Sequence, residues 1–175
     1  MRRLVIPFLL GVTLAAAACG DDDGTGPATE TFRATLNGAN ERPTARTTPA
    51  TGVADFTLRR DTLRWTIALS NITNVTASHI HIGGATEAGG VILGLTPGTS
   101  GVNNSLLAGF ITRSTFTAPG SPNQGVTFDS LLVLMRNGNS YVNVHTNETA
   151  NDPTNNTGPG DFPAGEIRGQ VMPTP

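Results

Sequence analysis

The fold class is decided by residues 54–69, ADFTLRRDTLRWTIAL, in which apolar side chains recur at every second position on either side of a polar break. Ala54, Phe56 and Leu58 alternate with polar residues, and the same period runs from Leu63 to Leu69. A period of two places these apolar side chains on one face of an extended chain. The segment therefore predicts strands with one face buried in a core.

The same alternation continues outward from this segment. It is present upstream at residues 32–36, and further apolar strands are indicated downstream at residues 80–82, 91–95, 106–112, 141–146 and 166–172. Connectors rich in Gly, Asn, Thr and Pro separate them. Many short strands joined in this way predict an all-β fold, an antiparallel β-sandwich or a barrel-like domain.

One segment departs from the strand period. Phe128, Leu131, Leu132 and Met135 recur at helical spacing, and they are followed by Gly138. Thr127 precedes the run and is a suitable N-cap residue. The sequence therefore predicts one short helix within the β domain.

Composition excludes several classes of function. The chain has 175 residues with 11 basic and 13 acidic side chains, and every basic one is arginine. A chain without lysine cannot use the P-loop lysine or form a Schiff base. Its arginines are dispersed and its net charge is −2, so we expect no nucleic-acid partner. It contains no Gly-x-Ser-x-Gly or strand-to-helix Gly-x-Gly-x-x-Gly motif, and no catalytic residue is predicted.

The N-terminus has the order of an export signal. Arg2 and Arg3 precede an apolar run at residues 4–14, and four alanines lead into Cys19. Small residues directly before a cysteine resemble the bacterial lipobox, which implies that residues 1–18 are a lipoprotein signal peptide and that Cys19 is lipidated. The alternative is ordinary signal cleavage, which leaves Cys19 as a free thiol.

The segment after Cys19 predicts how the domain is held at the membrane. Residues 19–30 are acidic and contain Gly and Pro, which favours a flexible tether, with the β domain occupying residues 31–173. The lipidated Cys19 is then the membrane contact. We expect an exported protein that faces the periplasm or the cell exterior, and Gly20 favours outer-membrane retention by resemblance to lipoproteins.

Several separated motifs resemble the CHRD domain, the repeat first described in chordin. They are Phe32 to Pro43, Ala50-Thr51-Gly52, His79-Ile80-His81-Ile82-Gly83, Tyr141 to Thr146 and Gly165 to Gln170. The resemblance implies a β-rich extracellular module without a settled biochemical activity. The expected function is therefore a binding or structural module, with a surface protein or a glycan as its partner.

A polar set along three strands indicates a second function. Alternation puts His79 and His81 on one strand face, His145 on the polar face of another strand, and Glu166 on that of a third. If these strands are neighbours, the three histidines of the chain and Glu166 converge. The alternative function is then a mononuclear site for a transition metal such as copper or zinc, with the histidines as ligands and Glu166 as a fourth ligand or as an acceptor from one.

Two further observations bear on this polar set. His-x-His followed by glycine is faintly similar to the copper-binding strand of copper/zinc superoxide dismutases, although this chain has no histidines left for a second metal. A hydrogen-bonded network without metal is the favoured interpretation of the same residues, because His-x-His on a strand is by itself a weak signal for metal.

Overall fold

A computed structural model describes residues 28–95, 103–116, 125–148 and 157–175. The predicted signal peptide, Cys19 and most of the predicted tether lie outside these residues. The first strand begins at Thr29, slightly ahead of the predicted start of the domain. None of the helices in the described ranges is long and apolar enough to cross a membrane.

The described residues are dominated by antiparallel strands. The strands are β1 (Thr29–Asn37), β2 (Thr51–Arg59), β3 (Thr62–Ser70), β4 (Val75–Ile82), β5 (Val91–Gly94), β6 (Leu106–Thr112), β7 (Ser140–Thr146), β8 (Ile167–Gln170) and β9 (Met172–Pro173). Two helices, α1 (Arg113–Phe116) and α2 (Phe128–Arg136), and a 3₁₀ turn at Gly38–Asn40 complete the elements. The all-β prediction is therefore confirmed.

The strands form one curled sheet, shaped as a half-barrel. Its order is β5-β4-β7-β8-β1-β2-β3-β6, and β9 pairs with β1 beside this path. The alternate apolar side chains of the sequence form the inner face of the sheet. Phe32, Phe56 and Trp65, for example, lie opposite one another on β1, β2 and β3 and are all buried. The Trp65 indole donates its N–H to the Leu95 carbonyl, which satisfies its one polar atom within the core.

Helix α2 matches the sequence prediction in position and capping. The Thr127 hydroxyl accepts a hydrogen bond from the Ser130 amide, and the predicted apolar side chains are buried against the sheet. Gly138 follows the helix with a φ of 65°, a conformation that glycine adopts without strain. The single turn α1 was not predicted, because four residues are too few to show a helical period.

The sheet order decides which polar residues meet. Strand β7 lies between β4 and β8, so His79 pairs with Asn143 and Asn143 with Arg168 across the three strands. Two residues further along each strand, Ala77 pairs with His145, so His145 lies on the same face as His79. The aliphatic residues of these strands face the core, and the opposite face carries His79, His81 and His145.

Candidate metal centre

Three imidazoles from β4 and β7 converge on the polar face. His79, His81 and His145 each offer one ring nitrogen, and these three nitrogens lie within 4.8 Å of one another. Metal–nitrogen bonds of about 2.0 Å place tetrahedral ligand atoms about 3.3 Å apart, so the widest separation must shorten by up to about 1.5 Å to reach bonding geometry.

The tautomer of His81 is fixed by a backbone contact. Its Nδ1 lies 2.9 Å from the Gly89 carbonyl, which can only accept, so Nδ1 carries the ring hydrogen. The lone pair is therefore on Nε2. That atom is buried and makes no hydrogen bond to any described residue.

His145 is oriented in the same way by a different loop. Its Nδ1 donates to the Pro163 carbonyl at 2.9 Å, which leaves the lone pair on Nε2. This Nε2 lies 3.1 Å from Nδ1 of His79. The hydrogen of that contact therefore belongs to His79, and the pair is held by one N–H to N hydrogen bond.

All three histidines are held in the neutral form. Burial, followed by the neighbouring His145 and His81, lowers the pKa of His79 to about 4. Burial is also the main reason why the pKa values of His81 and His145 lie below their usual range. A neutral imidazole is the form that binds a metal ion, so the group needs no deprotonation at pH 7.

The ring of His81 also packs against an aromatic side chain. It stacks on Tyr141 with centroids 4.9 Å apart and ring planes at 12°. The Tyr141 hydroxyl donates to the same Gly89 carbonyl that accepts from His81, and it accepts from the Gly89 amide. Tyr141 and Gly89 therefore fix both the plane and the tautomer of His81.

Glu166, the fourth residue predicted from sequence, makes different contacts. Its carboxylate is fully buried and accepts hydrogen bonds from the Thr48 hydroxyl, the Thr146 hydroxyl at 2.7 Å and the Gly160 amide at 2.9 Å. These contacts occupy both carboxylate oxygens. Glu166 therefore braces the loop that carries Pro163, the acceptor of His145, while the convergent group consists of the three histidines.

A second buried carboxylate was not singled out from the sequence. Glu41 is 2% exposed, its Oε2 accepts from the Asn143 side-chain amide at 3.2 Å, and its Oε1 has no hydrogen-bond partner among the described residues. Gly165 makes this approach possible, because a Cβ there would lie 2.5 Å from Asn143 and 2.9 Å from Glu41. Burial raises the pKa of Glu41 to about 7. A glutamate in a polar loop gives no sequence signal for such burial.

Comparison with known proteins identifies the family. The model of the CHRD domain matches residues 32–152, which is more than half of the chain and includes all three histidines. No curated protein and no solved structure gives a significant match. The chain belongs to the CHRD domain family, as its motifs predicted.

Proposed function

We propose that this CHRD-domain protein binds one transition metal ion, copper or zinc, through His79, His81 and His145. The observation that carries the proposal is the convergence of three neutral imidazoles around the unpaired Nε2 of His81. Imidazole nitrogen is a favoured ligand for both metals.

The hydrogen-bonded network is a less complete explanation of the same residues. It satisfies His145 and one nitrogen of His79, but it leaves His81 Nε2 buried and unpaired. An unsatisfied buried acceptor costs about 1–3 kcal/mol. A metal ion supplies the partner that the described residues lack.

The second layer of contacts supports the proposal independently. Histidine ligands generally donate their other ring N–H to a carboxylate, a backbone carbonyl or water, which keeps the lone pair aimed at the metal. His81 and His145 do so through the carbonyls of Gly89 and Pro163. Three neutral protein ligands leave a position for a fourth, exogenous ligand on the ion.

Elemental analysis tests this function. The protein, purified without added metal, is expected to carry about one equivalent of a single transition metal or to take it up on titration. The His79→Ala/His81→Ala double variant is expected to bind none, because one imidazole remains. Glu166→Gln is the matched control and is expected to keep full stoichiometry. A wild-type protein that takes up neither copper nor zinc would overturn the proposal.

We also propose that the domain is exported and anchored to the membrane through a lipid on Cys19, where it acts as a binding or structural module. The support is the order of residues 1–19 and the acidic segment that follows. The surface protein or glycan partner stays a prediction.

Acyl labelling tests the anchor. In a bacterial host the wild-type chain is expected to incorporate labelled fatty acid and to sediment with membranes, whereas Cys19→Ser is expected to lose the label, because the acceptor thiol is gone. Gly20→Ala keeps the cysteine and is expected to remain labelled. Wild-type protein recovered unlabelled in the soluble exported fraction would contradict the anchor.

A further inference from the structure

Arg168 is a buried cation whose bonds are to backbone carbonyls. Its side chain is 1% exposed, and its Nη1 and Nη2 donate to the carbonyls of Glu87 and Gly84, each at 2.7 Å. Its Cζ lies 3.4 Å from the centre of the Tyr141 ring, which holds the guanidinium plane in place. The ion pairs within the described part of the chain do not include Arg168.

A small pocket opens beside this guanidinium. It has a volume of about 110 Å³ and is lined by Asn40, Arg42, Ala85, Arg168 and Gln170. No acidic side chain belongs to this described lining, and two of its members are cations. Two acids, Glu41 and Glu87, interact with Arg168 by their charges. Glu41 is buried and accepts from Asn143, and Glu87 accepts from the Gly84 amide.

The second cation retains unused donors. Arg42 is half-buried, and its Nη1 donates to the carbonyls of Ala39 and Glu41. Its Nε and Nη2 have no hydrogen-bond partner among the residues that the structure describes. Burial lowers the pKa of Arg168 from its usual range, and repulsion from Arg42 adds to this, while Tyr141, Glu41 and Glu87 act in the opposite direction. Two like charges, Arg42 and Arg168, therefore lie beside one cavity.

We propose that this pocket binds a small oxyanion, a phosphate or carboxylate group, between Arg42 and Arg168. The guanidinium is the side chain best suited to such a group, because its planar donors match two oxygens at once. A volume of about 110 Å³ equals that of about three to four liquid water molecules, which is room for a group of four or five heavy atoms. This site is separate from the three histidines and does not rest on the metal proposal.

An unpaired acceptor atom of Gln170 indicates which oxyanion the pocket fits best. Gln170 lines the pocket, and its Nε2 donates to three backbone carbonyls. Its Oε1 is buried and has no hydrogen-bond partner among the described residues. An O–H group on the ligand would satisfy this acceptor. Hydrogen phosphate carries one, whereas an ionised carboxylate does not, so we expect phosphate to bind more tightly than acetate.

Titration of the full protein tests the pocket. Inorganic phosphate, acetate and chloride are added at constant ionic strength after chelation of metal, and amide and arginine Nε–H shifts are followed by NMR. We expect saturable one-to-one binding of phosphate, weaker binding of acetate, and no saturable response to chloride. Acetate alone would identify the ligand as a carboxylate, and phosphate alone would identify it as a phosphate group.

Matched arginine variants decide whether this pocket is the site. Arg42→Ala is expected to weaken binding at least tenfold, and Arg42→Lys to weaken it less, because lysine keeps the charge but loses the planar fork. Arg59→Ala removes the same charge from the exposed end of β2 and is expected to leave binding unchanged. Absence of saturable phosphate and acetate binding, or equal binding by wild type and Arg42→Ala, would overturn the proposal.

Discussion

Replacing Glu166 with alanine is expected to lower the free energy of unfolding by about 3 kcal/mol or more, because several buried donors lose their acceptor at once. The Thr48 and Thr146 hydroxyls and the Gly160 amide all donate to this carboxylate. The cavity left by the side chain adds to the loss. Urea unfolding of both proteins measures the difference in the free energy of unfolding, provided that this free energy falls with urea concentration at the same slope in both.

Glu166→Gln separates bracing of the fold from metal ligation. A glutamine can keep its carbonyl oxygen towards Thr146 and Gly160 and direct its amide to the Thr48 hydroxyl, so we expect a cost of only about 1 kcal/mol. Metal affinity is expected to be unchanged in this variant. In Glu166→Ala the loop that carries Pro163 is released, and affinity is expected to fall by about 10- to 100-fold, as it does when an outer-shell partner is lost. If Glu166→Gln weakened binding as much as Glu166→Ala, Glu166 would be a ligand and not a brace.

Replacing Glu41 with glutamine is expected to change the pH dependence of stability. Burial raises the folded-state pKa of Glu41 from 4.5 to about 7, and the Asn143 hydrogen bond and the charges of Arg168 and Arg46 offset only part of this shift. The folded protein therefore holds this proton more tightly than the unfolded chain does. The stabilisation is full below pH 4.5 and is lost as the pH rises towards and through about 7.

The measurement is the difference in unfolding free energy between wild type and Glu41→Gln at several pH values. A shift of this size corresponds to about 3 kcal/mol, so Glu41→Gln should gain roughly that amount relative to wild type between pH 4 and pH 8. The lowered histidine pKa values act in the opposite direction below pH 6.5, but both proteins contain them and their effect cancels. A difference independent of pH would show that Glu41 ionises normally in the folded state.

Alternation in the sequence was sufficient to predict the strands. Residues 54–69 became β2 and β3 with their alternate apolar side chains buried, because backbone geometry alone sends successive side chains to opposite faces. Helix α2 could also be predicted from the sequence, since its apolar spacing and its Thr127 cap are local features. The family motifs added specificity, and the CHRD match confirmed them.

The sequence by itself determined the all-β class, the family and the residues on the polar face, because these depend on local period and short motifs. Only the tertiary structure decided that β7 lies between β4 and β8, which brings His145 beside His79 and His81. It also placed Glu166 in contact with Thr48, Thr146 and Gly160, and it buried Glu41 and Arg168 without a salt bridge to any residue that the structure describes. Strand order and loop packing are non-local: they depend on contacts between residues far apart in the chain, which no local pattern encodes.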